Sequence, residues 1–160
     1  MMYKCKYFTL KELLPPSIYN DKTISDDAKW GLFDERILIA ADLLREKFGV
    51  CTINSGSLDS CGFREMNDNA GAKYSQHKFG RALDLHFKNA KADDVRQWIR
   101  QYKNTLICHV PIPLTEQQIV NMGCYYYLNL DKIITAIETN ISWVHIDCRN
   151  GIALMEFPIK

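Results

Sequence analysis

Two short segments constrain this chain more than any other feature: ALDLHF at residues 82–87 and WVHIDC at residues 143–148. Side chains of a β-strand point alternately to opposite faces. In the first segment Leu83, Leu85 and Phe87 share one face, opposite Ala82, Asp84 and His86. In the second, Val144, Ile146 and Cys148 oppose Trp143, His145 and Asp147. Each segment therefore has an apolar face suited to a core and a face carrying imidazole and carboxylate. If the two strands are neighbours, Asp84 and His145 meet on one side of a sheet. His77 lies just ahead of the first strand, in YSQHKFG, and the flexible Gly80 can swing it over them. The product is two imidazoles and one carboxylate. Three nitrogen and oxygen ligands plus a water is the usual construction of a catalytic zinc site, whereas structural sites are closed by four protein ligands. On spacing alone the alternative, a solvated strand face, stays open.

The rest of the chain supplies a frame for such a sheet. LLPPSIYNDKTISDD reads as a Pro-interrupted polar connection. Phe33, Ile37, Ala40, Ala41, Leu44 and Phe48 recur at helical spacing and Gly49 supplies a stop, so a core-packing helix is expected near 28–48. VCTINSG reads as a short strand, and residues 56–76 as a long loop of the kind that is often functional. ADDVRQWIRQYKN reads as a helix with Val95, Trp98, Ile99 and Tyr102 on one face. PLTEQQIVNMG reads as a second short helix, with Thr115 and Gln118 at capping-box spacing and Gly123 to close it. KIITAIETNISWVHIDCR reads as two strands joined by a polar turn. The order of these elements argues for an α+β fold with a mainly antiparallel sheet, its strands near 50–55, 82–87, 133–138 and 143–148.

Composition narrows the function classes. The 160 residues fit a single domain, 1–160, with 47% hydrophobic and 24% charged residues. A net charge of +1 offers no electrostatic case for nucleic acid or an anionic membrane as partner. No apolar run approaches the ~20 residues of a membrane helix. MMYKCKYFTLKELL lacks the apolar core of an export signal, so a cytoplasmic protein is expected; a monomer is expected as well. Six cysteines, at positions 5, 51, 61, 108, 124 and 148, include no C-x-x-C pair, and reduced thiols are expected. Cys51, Cys108 and Cys148 read as small core residues.

SQHKFGRALD and WVHID together resemble the two-part zinc motif of the D-Ala-D-Ala carboxypeptidase family, S-x-H-x-x-G-x-A-x-D with W-x-H-x-D. INSG followed by CGFREMND, and FTLKELL and LREKFG nearer the start, are similar to further family segments, especially of bacteriophage members. The resemblance covers roughly residues 7–150. It implies the fold shared by D,D-peptidases, lysostaphin-type enzymes and the hedgehog signalling domain, with zinc on one sheet face held by His77, Asp84 and His145. It implies that Ser75 supports the ligands or substrate, and that Arg64 binds a peptide carboxylate or the oxyanion. It also implies the activity: zinc-dependent amide hydrolysis in peptidoglycan stem peptides, as a carboxypeptidase or as an endopeptidase of the endolysin kind, released to the wall from the host cytoplasm.

One position departs from the pattern. Many relatives carry Glu or Asp three residues before the last zinc histidine, as general base; here that position is Ser142. Glu138, across the turn from WVHID, and Asp147, on the same face as His145, are the candidate replacements, with Glu138 favoured as base and Asp147 as the residue that orients a ligand. His86 is a candidate oxyanion contact or a packed histidine, and Trp143 a wall of the site. The missing carboxylate also keeps a rival open: a zinc-binding module without catalysis, serving in binding or as a structural component of a virion.

Overall fold

A computed structural model describes residues 2–54, 60–102, 106–108, 127–129, 133–149 and 154–158. The architecture is α+β. The strands are β1 (Cys51–Thr52), β2 (Ala82–Phe87), β3 (Leu106–Cys108), β4 (Tyr127–Asn129), β5 (Ala136–Thr139), β6 (Val144–Asp147) and β7 (Met155–Pro158). β3 pairs with β4, and the other five form one sheet in the order β1–β2–β6–β5–β7. Every pairing in that sheet is antiparallel except β5 with β7. The helices are α1 (Leu10–Leu13), α2 (Pro16–Tyr19), α3 (Asp26–Trp30), α4 (Glu35–Phe48) and α5 (Ala92–Tyr102). None of the described helices is long and apolar enough to cross a membrane.

The core forms as the strand alternation requires. Leu83, Leu85, Val144, Ile146 and Cys148 are fully buried, in one cluster with Ile37, Leu38, Ala40, Ala41 and Leu44 of α4. Val95 and Ile99 of α5 join it, and Trp98 packs edge-on against Phe48. The side chain of Tyr102 lies outside the described residues. Arg96, only 2% exposed, turns its guanidinium to the loop between β5 and β6, donating to Ile141 O at 2.9 Å and Trp143 O at 3.0 Å. Cys51 and Cys148 are buried thiols, and Cys5 and Cys61 are likewise thiols outside any disulfide. The side chains of Cys108 and Cys124 lie outside the described residues.

Several elements differ from the sequence expectation. The helix expected near 28–48 is two: α3 closes at Gly31, and Asp34 opens α4 by accepting from the Arg36 amide at 3.1 Å. Phe33 lies in the connection yet stays in the core, edge-on to Phe63. β1 is only two residues long, because the Asn54 amide leaves the sheet to donate to Glu12 O. α2 interrupts the connection expected at LLPPSIYNDKTISDD, its first residue Pro16 being a good helix starter. The strand expected at 133–138 begins at Ala136, and β7, parallel to β5, was not foreseen at all. The helix expected at PLTEQQIVNMG, with Thr115, Gln118 and Gly123, lies outside the described residues.

Candidate metal centre

The register of the sheet places the polar residues in rows. β2 and β6 pair with Asp84 directly opposite His145. β5 pairs Ala136 with Asp147 and Ile137 with Ile146, so the same register brings Glu138 level with His145. β7 then sets Phe157 opposite Glu138. One row across four strands therefore reads Asp84, His145, Glu138, Phe157. The neighbouring row is Ala82, Asp147, Ala136, where two fully buried alanines leave room for the buried carboxylate between them.

His77 reaches this row from outside the sheet. It sits in a 3-10 turn, Gln76–Phe79, ended by Gly80 in the left-handed conformation at φ 63°. A Cβ at Gly80 would stand 1.8 Å from Leu32 O, so only glycine fits this close passage of two backbones. The ligand atoms of His77, Asp84 and His145 all lie within 4.8 Å of one another, and the three residues are buried. His77 Nε2 is 3.4 Å from Asp84 Oδ2, and His145 Nδ1 is 2.7 Å from Asp84 Oδ1.

The outer nitrogens are held as metal-ligating imidazoles require. His77 Nδ1 lies 2.8 Å from Gly62 O, a pure acceptor, so Nδ1 carries the proton and Nε2 turns inward. His145 Nε2 faces Asp147 Oδ2 at 3.4 Å, which leaves Nδ1 inward. Such outer acceptors fix the tautomer and orientation of a ligating histidine. His77, Asp84 and His145 are thus positioned to bind a metal ion, and the donor set fits one: two imidazole nitrogens and a carboxylate suit a divalent metal of borderline softness.

Electrostatics point the same way. Burial opposes charge on His145, but hydrogen bonds to Asp147 and Asp84, with Glu138 nearby, raise it to about 9. Burial would raise Asp84 too, but its hydrogen bonds with His145 and His77 hold it well below the usual carboxylate range. Asp147 is likewise held low against its burial by His145 and Arg149. These shifts have one origin, the His145 imidazole held between the carboxylates of Asp84 and Asp147.

A cavity of about 380 Å³ opens over the row, its wall including Arg64, Ser75, His77, Asp84, Glu138, Trp143 and His145. Arg64 donates from Nη2 to Asp84 Oδ2 at 3.3 Å, from Nη1 to Ala70 O at 3.3 Å and from Nε to Ser60 O, so it braces the loop and a ligand together. Asp147, with no exposed surface, stands behind His145 and is gripped by Arg149, whose Nε donates at 2.9 and 2.8 Å. His86 stands one row away, stacked on Trp143 with Cys61 Sγ 3.5 Å from its Nε2, and is not among the cavity-lining residues. The indole Nε1 of Trp143 is buried without a hydrogen-bond partner among the described residues.

Sequence reasoning missed Arg149 and Phe157, both in the cavity wall with the guanidinium 4.7 Å above the ring. Arg149 follows Asp147 by two residues, so the same alternation that grouped His145 with Asp147 extends to it. Phe157 carried no signal, because its strand was not recognised. It also missed Tyr74, which lines the cavity and is 68% exposed. No family model, curated protein or solved structure matches the chain.

Proposed function

We propose that the chain is a zinc metallopeptidase that hydrolyses an amide bond in peptidoglycan stem peptides, built on the D,D-peptidase and hedgehog scaffold. The observation that carries this reading is the pair of imidazoles whose outer nitrogens are tied to Gly62 O and Asp147 while their inner nitrogens converge with Asp84 at the floor of an open cavity. Zinc held by His77, Asp84 and His145 would supply Lewis-acid activation of a water and of the scissile carbonyl.

The remaining chemistry belongs to the chain. Glu138 lines the cavity next to His145 in the same row, the right place to take the proton of the attacking water and pass it to the leaving amine. Asp147 orients His145 and has no cavity surface from which to act as that base. Arg64 stands at the Asp84 end of the row and Arg149 at the Phe157 end, so a peptide laid along it meets a guanidinium at either end. Trp143 forms part of the wall that shields the reacting bond from bulk water. All these residues come from one chain, so the reading needs no second copy, and it involves neither nucleic acid nor membrane.

The test is zymography of the zinc-loaded protein on purified peptidoglycan, with mass spectrometry of the released fragments. New amine and carboxyl ends within stem peptides, abolished by chelation and restored by zinc, are expected. Ser142, where a catalytic carboxylate would stand in the resembling family, favours a second reading: a zinc-binding module without catalysis. Metal uptake with no cleavage of any wall peptide would establish that alternative.

A further inference from the structure

Outside the metal centre, the side-chain oxygen of Asn54 makes bonds that lead back to it. Asn54 Oδ1 accepts two backbone N–H groups, from Cys61 and from Gly62, each at 3.0 Å. The carbonyls of those same two residues support two of the three candidate metal ligands. Cys61 O accepts the Asp84 amide at 2.8 Å, and Gly62 O accepts the His77 Nδ1 proton at 2.8 Å. One side-chain oxygen thus pins a dipeptide that sets both the strand position of the carboxylate and the ring orientation of an imidazole.

The anchoring continues behind it. The Asn54 amide donates to Glu12 O at 3.1 Å and the Phe63 amide to Leu13 O at 2.8 Å, which fastens both flanks to the end of α1. Gly62 has no room for a side chain: a Cβ would stand 2.2 Å from Leu13 O and 3.1 Å from Asn54 Nδ2. The other half of the Asn54 amide, Nδ2, is buried with no hydrogen-bond partner among the described residues. A buried donor left unsatisfied is unfavourable, so packing alone would not select this side chain. The oxygen is what the position requires.

We propose that Asn54 is a positioning residue of the metal centre, acting through the Cys61–Gly62 peptide to hold His77 and Asp84 in ligating geometry. The proposal rests on the metal-binding reading of His77, Asp84 and His145, and not on any catalytic activity. Its chemistry is specific: an acceptor oxygen is needed at this position, and the amide nitrogen is not. Asn54→Asp keeps the acceptor and removes the unpartnered donor; Asn54→Leu keeps the shape and removes the acceptor.

The experiment measures zinc affinity by chelator competition for the full chain and both variants, together with the cobalt absorption spectrum and the His77 Nδ1–H resonance. Asn54→Leu should lose ~10- to 100-fold in affinity, the range for removing an outer support of a metal ligand. It should also shift the His77 resonance and alter the cobalt spectrum. Asn54→Asp should stay within about threefold of the parent, on the same reasoning. A structural role alone would lower the melting temperature of Asn54→Leu and leave affinity and spectra unchanged; that result overturns the proposal. Should Asn54→Leu not fold, Asn54→Asp and the parent decide: loss of affinity in Asn54→Asp, or fast amide exchange at Cys61 and Gly62 in the parent, also overturns it. A parent protein that takes up no zinc removes the metal reading itself, and the proposal with it. Parent uptake with unaffected variants removes the proposal alone.

Discussion

Metal binding at this centre has to displace a proton. In the metal-free chain His145 Nδ1 faces the Asp84 carboxylate at 2.7 Å, a contact that needs a proton between its partners. Burial opposes the charged imidazole, yet hydrogen bonds to Asp147 and Asp84 outweigh it and raise the group to about 9. A metal ion that takes Nδ1 expels that proton. With His145 as the competing site, apparent affinity should climb about tenfold per pH unit well below this value, hence about fiftyfold between pH 7 and pH 9, and then level off. Stability carries the opposite sign. The folded value lies above the ordinary 6.5, so the stabilisation from charged His145 is full below 6.5 and is lost as pH rises through about 9. Metal-free protein should therefore lose thermal stability across that window, while metal-loaded protein should hold it. Competition against a chelator of known proton affinity, at half-unit pH steps, reads the first effect; calorimetric scans with and without chelator read the second. A flat apparent affinity between pH 7 and pH 9 would refute the idea that His145 holds a proton where the metal must go.

Further outcomes follow from single contacts. Glu138→Gln should keep full zinc content and reduce peptide hydrolysis ~10²-fold or more, the scale of a lost general base, whereas Asp147→Asn should weaken zinc binding ~10- to 100-fold by releasing His145; rates measured with metal content alongside separate the two, and the reverse pattern exchanges their roles. Arg96→Leu removes the donors to Ile141 O and Trp143 O and should destabilise the fold by roughly 2–4 kcal/mol in urea denaturation. An unchanged midpoint would show that water replaces the guanidinium there. Gly80→Ala sets a methyl against Leu32 O in a left-handed backbone and should lower both stability and zinc affinity, since His77 rides on the same turn; native-like affinity in that variant would detach the turn from the site.

The shared face of Asp84 and His145 was legible because strand periodicity is a local property, whereas His77, in a turn, joined the candidate ligand set through the flexible Gly80 and the family resemblance. Alternation within ALDLHF and WVHIDC separates Leu83, Leu85, Val144 and Ile146 from Asp84 and His145 without reference to anything else in the chain, but it did not foretell that the polar face would be buried as well, with Asp84, His145 and Asp147 all enclosed. Gly80 was readable for the same reason, because a turn that needs positive φ selects glycine by its own backbone. What tertiary structure alone decided is everything that depends on register and on distant partners. That Asp84 stands level with His145, and Glu138 beside them, is set by pairing between strands some sixty residues apart in the case of Asp84 and His145. Phe157 enters the site only because β7 adds in parallel to β5, a long-range pairing with no local signature in MEFP. The same holds for Arg64, whose bonds to Asp84 and Ala70 direct it toward bracing the ligand, and for Asn54, which reads as the end of a strand yet supports the centre through two peptide groups. Side-chain periodicity lies in consecutive residues; hydrogen-bond partners are assigned only when packing brings separate segments together, and that step chose which polar residues became the site.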